Sequence, residues 1–497
     1  MKIKNNTTIS LNDIPELDYS GFRSTIIDLM SNKSERHCVN YFGFKSGDKI
    51  RLICCIADDE MHQIYVYNSF VNSETILLSI TAVNHNFEKF EREIHENFGI
   101  KYSYHPWLKP VRYSHSRFDG EDKIENYPFY KAESEELHEV GVGPIHAGII
   151  EPGHFRFICN GEQIMNLEIQ LGYQSRGIEQ LMLQKKKLLE RTTIAESIAG
   201  DCTVGHTTAF ANLWESLCEF KPHQSLDFSR TVALELERIA IHTGDLSGVC
   251  TDIGYQLGNA VYGRLRTPII NFFQEWGGNR LAKGLIRVGK IDYPFTKELA
   301  ERLSAILDEF EPDFNEISEK LFHMPSALSR MEKTGVLTLE QVLEIGAVGM
   351  AARMIGLERD IRVSHPFNLY GSSINHAPVF KHHGDVFSRV QIRREEVTQS
   401  IRYLKDLIKN LPEFPKAEKN ELTPGSNKFV ISLTEGWRGE ICHCAVTDNS
   451  GELIVYKIKD PSLHNWMALA QAVQNNEISD FPICNKSFNL SYCGHDL

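Results

Sequence analysis

The hydrophobic pattern of this chain changes its period near residue 113, and that change limits the folds open to it. Before it, "KIRLICCIADD" (49–59), "HQIYVYNSF" (62–70) and "ETILLSITAV" (74–83) are short apolar or alternating runs separated by polar breaks. Such runs, rich in Ile, Val, Leu and Tyr, read as strands. In "NHNFEKFEREIHENFGI" (84–100), Phe87, Phe90, Ile94 and Phe98 recur at helical spacing and Gly99 stands where the helix would stop. Beyond residue 140 the patterning is mostly helical, most clearly in "QVLEIGAVGMAARMIGL" (341–357) and "VFSRVQIRREEVTQSIRYLKDLIKNL" (386–411). It returns to strand period in "GEICHCAVTDNSGELIVYKIKD" (439–460), which predicts a β-hairpin turning at Asp448–Gly451. The polar, acidic, aperiodic stretch 114–140 between the two regimes reads as a linker or docking arm. The pattern predicts an α+β chain: a small α/β domain over 1–113, a linker over 114–139, and a mainly helical domain with β-hairpins over 140–497.

Charge and cysteine usage exclude several function classes. The 497 residues carry a formal charge of −13, whereas a nucleic-acid binder needs a basic face. The same charge argues against lying on anionic lipid unaided. No apolar run approaches the ~20 residues that span a bilayer, and "MKIKNNTTISLNDIPELDYS" lacks the apolar core of a signal peptide, so a cytoplasmic location is expected. The 11 cysteines are scattered, odd in number and never spaced CxxC, which speaks against a disulfide framework and against a metal site built wholly within this chain. Glycine-containing stretches such as "GVGPIHAG" do not follow the dinucleotide-binding pattern, so an NADH donor would have to bind another subunit.

Two groups of motifs carry a family resemblance that spans nearly the whole chain. "FEREIHENFGIKYSYHPWLKPVRY" (90–113) resembles the C-terminal signature of the 30-kDa-type subunit of respiratory complex I, with Glu91, Arg92, Glu93, Phe98, Gly99, Ile100, His105 and Pro106 matching. "GVGPIHAGIIEPGHFRFICNGEQI" (141–164), "LGYQSRGIEQL" (171–181), "GLERDIRVSHPF" (356–367), "GDVFSRVQIRREEV" (384–397) and the stretch from Glu435 to Ala470 follow in the order of a second family. They resemble the large subunit of group 4 membrane-bound NiFe hydrogenases such as formate hydrogenlyase, itself related to the 49-kDa-type subunit of complex I. Fusion of both parts in one polypeptide is typical of formate-hydrogenlyase-type large subunits.

The resemblance implies a Ni–Fe centre on four thiolates, and the sequence departs from it at those positions. Laid on the family's first cysteine pair, "ESIAGDCTVGH" (196–206) places Ala199 and Cys202 at the ligand positions; "KSFNLSYCGHDL" (486–497) places Asn489 and Tyr492 at the second pair, with Cys493 one residue out of register. At most one of four soft donors remains, so a Ni–Fe centre is not expected and no metal is assigned. Cys202 reads as a small buried residue or as a redox-active or partner-facing thiol. Cys442 and Cys444 share one face of a strand and read as packing residues.

The quinone site of complex I uses the same cavity, but its tyrosine falls at Gly200, and His146 and His154 are the candidates for its histidine. Glu151 occupies the place of the hydrogenases' proton-relay glutamate. A partly buried carboxyl there would have a raised pKa and could trade protons, or it could be a structural carboxylate on turn amides. With His154, Asp201 and His206 it makes up the candidate cavity and proton-relay set, His154 also reading as a framework histidine. Arg156 and Arg176 lie in motifs that resemble those facing the small subunit's [4Fe–4S] cluster, or form surface ion pairs. Glu358, Arg359, Asp360, Arg362 and His365 form an alternating charge run, ordinarily a solvated or salt-bridged face, which the resemblance makes a candidate proton path.

The resemblance therefore implies a peripheral-arm subunit on the cytoplasmic face of an energy-converting membrane complex. Its partners would be a small iron–sulfur subunit and integral membrane subunits, antiporter-like ones among them. The alternatives are reduction of quinone or another acceptor as an NADH dehydrogenase-like subunit, or a purely structural assembly role in which Asn489 and Tyr492 plug the cavity.

Overall fold

The structure, a computed structural model, describes residues 1–31, 33–113, 117–118, 120, 123–148, 150–415 and 422–496. It is α+β, as the pattern predicts. Near the N-terminus an antiparallel sheet runs in the order Lys2–Ile3, Gln63–Val71, Lys49–Asp58, Arg36–Ser46. Strand alternation sends Cys38, Leu52, Cys54 and Ile56 to one face, where the helices Tyr19–Met30 and Glu88–Phe98 cover them with Phe22, Ile26, Phe87, Phe90 and Ile94. Val39, Ile53, Cys55, Ala57 and Val66 point to the other face and join the main core. A sheet buried on both faces explains the unbroken apolar run in "LICCIA", which alternation alone would not require. The helix 88–98 ends as expected at Gly99, whose φ of 72° is the left-handed stop. Of "ETILLSITAV" only Ile76–Leu78 is a strand, pairing in parallel with Lys101–Ser103.

The body of the molecule is built on the helix Gln224–Asp252, buried over most of its 29 residues. Around it lie the helices Thr203–Leu217, Gln256–Gly277, Lys297–Phe322 and Val386–Leu407, the last capped by the Asp385 carboxylate on Ser388 N at 2.8 Å. The helix expected over 341–357 is instead two short ones, Leu339–Ile345 and Met350–Arg353. Gly346 and Gly349 break it at φ of 69° and 62°. A Cβ on Gly349 would stand 2.2 Å from the carbonyl oxygen of Arg438, so the break lets the backbone lie directly against the hairpin turn that carries Arg438.

The C-terminal hairpin forms as expected, from Glu440–Thr447 and Leu453–Lys459, in a sheet with Lys428–Glu435. The fourth strand of that sheet is Thr7–Ser10, which leaves the N-terminal part and pairs antiparallel with Lys428–Ile431. Further ties cross the same boundary. His37 Nε2 meets Glu440 Oε2 at 2.6 Å, Arg359 Nε meets Asp59 Oδ2 at 3.2 Å, and Arg112 donates to His495 O at 2.8 Å. Cys442 and Cys444 lie buried between the two sheets, each Sγ 3.8 Å from Asn40 Nδ2. Of the expected linker, 114–116, 119 and 121–122 lie outside the described residues. Its later part lies against the sheet His138–Val142, His154–Asn160, Gln163–Gln170, with Tyr130 N on Glu168 at 2.8 Å. The strand His138–Val142 runs across the expected boundary at 139/140. Among the described residues, no helix is long and apolar enough to cross a membrane.

Glu440 is fully buried between His37 and the Lys459 ammonium. Removing the cation leaves a buried carboxylate uncompensated, a loss of about 3–5 kcal/mol. Lys459→Met is expected to lower unfolding free energy by that amount in urea denaturation, and Lys459→Met combined with Glu440→Leu to recover most of it.

Candidate functional site

The turn 196–202 leads into the helix Thr203–Leu217, and Ala199 and Cys202, the two positions the resemblance aligns with metal ligands, are packed, not open. Ala199 and Cys202 are buried in a small cluster with Ala209, Ile241, Trp437 and Ile441. A Cβ on Gly205 would come within 2.8 Å of Cys202 Sγ, so the thiol is enclosed closely. Burial raises its pKa well above the ordinary thiol value, and the Glu237 and Asp460 carboxylates add to that, both disfavouring the thiolate.

The C-terminal turn lies beside it, and two arginines hold the pair together. Arg438 makes a two-pronged pair with Asp201, at 2.9 and 2.5 Å, and donates to Asn489 O at 2.5 Å. Arg176 donates to the carbonyls of Ser197 and Ile198 at 2.7 and 2.8 Å, while its own amide donates to Asp496. Trp437 lies under Arg438, 4.0 Å from guanidinium to ring centroid, and its indole donates to Asp201 O at 2.8 Å. Asn489 adopts the left-handed conformation at a helix end and gives its side-chain amide to Asp245 at 2.7 Å. Tyr492 is buried against Trp466 and Gly153. These residues do not fit a four-thiolate centre: Ala199 has no donor atom, Asn489's amide is already engaged, and tyrosine is a hard donor where soft ones are needed. Among the described residues, no group of three His, Cys, Asp or Glu side chains is gathered to hold a metal.

The residues singled out from sequence fall into separate places. Glu151 is exposed, so the partly buried setting expected for it is absent. His154 is half-buried, with Nδ1 on Gly143 O at 3.0 Å and its ring against Phe129, and burial lowers its pKa. His146 Nε2 faces Gly153 O at 2.8 Å. Asp201 is tied to Arg438. His206 is wholly buried behind the turn: its nitrogens meet Asp460 Oδ2 at 3.0 Å and His443 Nε2 at 3.1 Å, and His443 continues to the Tyr456 hydroxyl at 2.8 Å. Arg156 lies at the surface, paired with Glu139 at 2.9 Å and over the Phe129 ring. Arg359, Asp360, Arg362 and His365 are buried, so their alternating charges are internally paired; Glu358 is exposed.

Three residues at the turn carry no local signal in the sequence: Trp437, Arg438 and Glu237. Arg438 sits in a stretch that bears the family resemblance, but nothing nearby marks an arginine that reaches back to residue 201. Glu237 is buried, accepts from Val204 N at 2.7 Å and Gly205 N at 3.2 Å, and so caps the helix that follows the turn. Desolvation outweighs these amides and pushes its pKa up to about 8.

The comparisons with known proteins agree with this frame. Residues 252–431 match the family described as respiratory-chain NADH dehydrogenase, 49 Kd subunit. Hydrogenase-4 component G of Escherichia coli (strain K12) is 27% identical over 392 residues, which cover 78% of this chain and 67% of that protein. A second hydrogenase-type relative is covered over 62% of its length. The fused C/D subunit of the NADH-quinone oxidoreductase of Phocaeicola vulgatus is 25% identical over 424 residues, 77% of this chain and 79% of the relative. In fold the chain resembles a component of the membrane-bound sulfane sulfur reductase, an archaeal respiratory membrane complex, with a TM-score of 0.68 at 19% identity, over 74% of this chain and all of that one. The chain is thus related to the large subunits of membrane-bound hydrogenases and to the fused C/D subunit of complex I.

Because Glu237 takes up a proton more readily when folded than its ordinary value of 4.5 allows, the folded state loses stability as pH rises from about 4.5 to about 8. Glu237→Gln is expected to flatten that slope by about 2–5 kcal/mol across the window, read by denaturant unfolding at several pH values.

Proposed function

We propose that this chain is a peripheral-arm subunit of a membrane-bound, energy-converting complex, with electron transfer from a partner iron–sulfur subunit coupled to ion translocation and no Ni–Fe centre held here. The observation that carries the reading is the packing of the ligand turn. Cys202 is enclosed by Ala199, Trp437 and Ile441, and the turns are joined through Arg438 and Arg176. The relatives, named as hydrogenase and NADH-quinone oxidoreductase subunits, support membership of such a complex. In this reading residues 1–113 and 140–497 keep the two fused units, with 114–139 the arm between them. The partners are a small subunit holding a [4Fe–4S] cluster and membrane subunits that include antiporter-like ones, and the chain sits on the cytoplasmic face of the membrane. Arg438, through Asp201 and the Asn489 carbonyl, holds the two turns together. Glu237, protonated near neutral pH, is the group beside them best able to exchange a proton.

Elemental analysis of the complex, purified from membranes through a tag on this chain, tests the proposal. Iron without nickel is expected, with Cys202→Ala leaving iron content and electron transfer unchanged. Nickel near one equivalent per chain refutes it.

A second reading, reduction of quinone or another acceptor in the altered cavity, is favoured by Gly200. Gly200 is exposed and a side chain there would meet no atom within 4 Å, so the turn presents a free surface at the position the resemblance gives to complex I's quinone tyrosine. On that reading Gly200→Trp removes reduction of a water-soluble quinone by the purified complex while every partner protein is retained; undiminished turnover counts against it.

A further inference from the structure

Away from the turns, a cleft of about 200 Å³ opens between the N-terminal part of the chain and the helix Ser462–Ala472. Lys89, Pro106 and Trp107 form one side; Leu463, His464 and Met467 form the other. Its size exceeds the ~150 Å³ that suffices to hold benzene in an apolar protein cavity. A neighbouring cavity of about 190 Å³ shares Lys89, Trp107 and Met467 as walls, leaving room for a longer ligand.

The polar groups in the cleft are incompletely used. His464 is 6% exposed, and its Nε2 has no hydrogen-bond partner. The side-chain oxygen of Gln471, also on the wall, is buried without one. Both atoms are free to take a hydrogen bond from a molecule in the cleft or from water. Lys89 Nζ stands 3.7 Å from Glu88 Oε2, beyond hydrogen-bond length. Glu88, which also lines the cleft, is neutralised by Arg92, one turn further along its helix. Glu88 is thus shared between two cations, which leaves one net positive charge at the cleft beside the His464 imidazole and a set of flat or flexible apolar walls.

We propose that this cleft binds a small planar apolar molecule bearing one carboxylate, with its ring system against Trp107 and Met467, its carboxylate on Lys89, and His464 completing the hydrogen bonds. A single point-charge cation with three donors suits one carboxylate, and the apolar walls exclude strongly hydrated anions. Because the walls come from distant parts of the chain, the ligand would bridge them, and binding would stabilise the fold by mass action.

The test uses the full chain labelled with fluorotryptophan and titrated with naphthoate under fluorine NMR, the Trp107 resonance being assigned from Trp107→Phe. The expected result is a saturable shift confined to Trp107 and Trp466. Affinity should weaken by about tenfold or more in Lys89→Met, and for naphthalenemethanol in place of naphthoate. Met467→Trp, which fills the cleft, should abolish binding, and unchanged spectra at Trp214, Trp276 and Trp437 report that each variant remains folded. No saturable shift at millimolar naphthoate overturns the proposal, as does equal affinity for acid and alcohol or equal affinity in Lys89→Met.

Discussion

A long helix that carries a row of charges shut away from water dominates the structure. Along Gln224–Asp252 the side chains of Arg230, Glu235, Glu237, Arg238, His242 and Asp245 are all buried, and ionised groups persist there only when paired. Arg230 pairs with Glu215, His242 with Glu396 at 2.7 Å, and Asp245 with Arg393 at 3.0 Å; Glu235 accepts from Tyr370 and Ser400, and Arg238 donates to the carbonyls of Glu435 and Gly436. Arg353 and Arg362 complete the set by reaching Glu396, Glu435 and Asp360. The partners come from segments far apart in sequence, so the helix cannot be satisfied until the whole body has assembled around it. Such a network does more to select one arrangement of segments than to lower its free energy.

That selection reaches the candidate site directly. Arg238 holds the carbonyls just before Trp437 and Arg438, Asp245 fixes Asn489, and Gly349 lets the backbone close on the same hairpin. Glu237 is the exception along the helix, since backbone amides are its hydrogen-bond donors where its neighbours have cations or hydroxyls. Its proton affinity is therefore set by burial, while the paired carboxylates Glu396 and Asp360 are held well below the usual range by the arginines around them. One helix thus supplies both the fixed charges that shape the turns and a carboxyl free to change state beside them.

Much of the fold was legible in the sequence because it is local. The strands of the first sheet, the helix that Gly99 stops, and the hairpin at 440–459 all follow from period and turn chemistry. The helix expected over 341–357 failed because its glycines serve a tertiary approach to Arg438 that no periodicity records. The charge run at Arg359–Arg362 was legible as salt-bridged but not as buried: patterning cannot say whether charges face water or one another. At the site, the residue types at positions 199, 202, 489 and 492 were readable, but the bridge through Arg438 was not, since it joins residues more than two hundred positions apart. Glu151 was placed by resemblance alone, and no pattern in the sequence says that the chain exposes it.

The strand Thr7–Ser10 completes a sheet whose other members lie at the far end of the chain, with Asn5 bonded to Leu433 across 428 residues. During synthesis this strand emerges more than four hundred residues before its neighbour. Throughout synthesis an edge with unpaired amides and carbonyls must therefore stay unclaimed, by the nascent chain or by another copy. Closure of so distant a contact comes late and slowly. Attachment of Thr7–Ser10 thus reports that the segment between the two strands has been made and has folded.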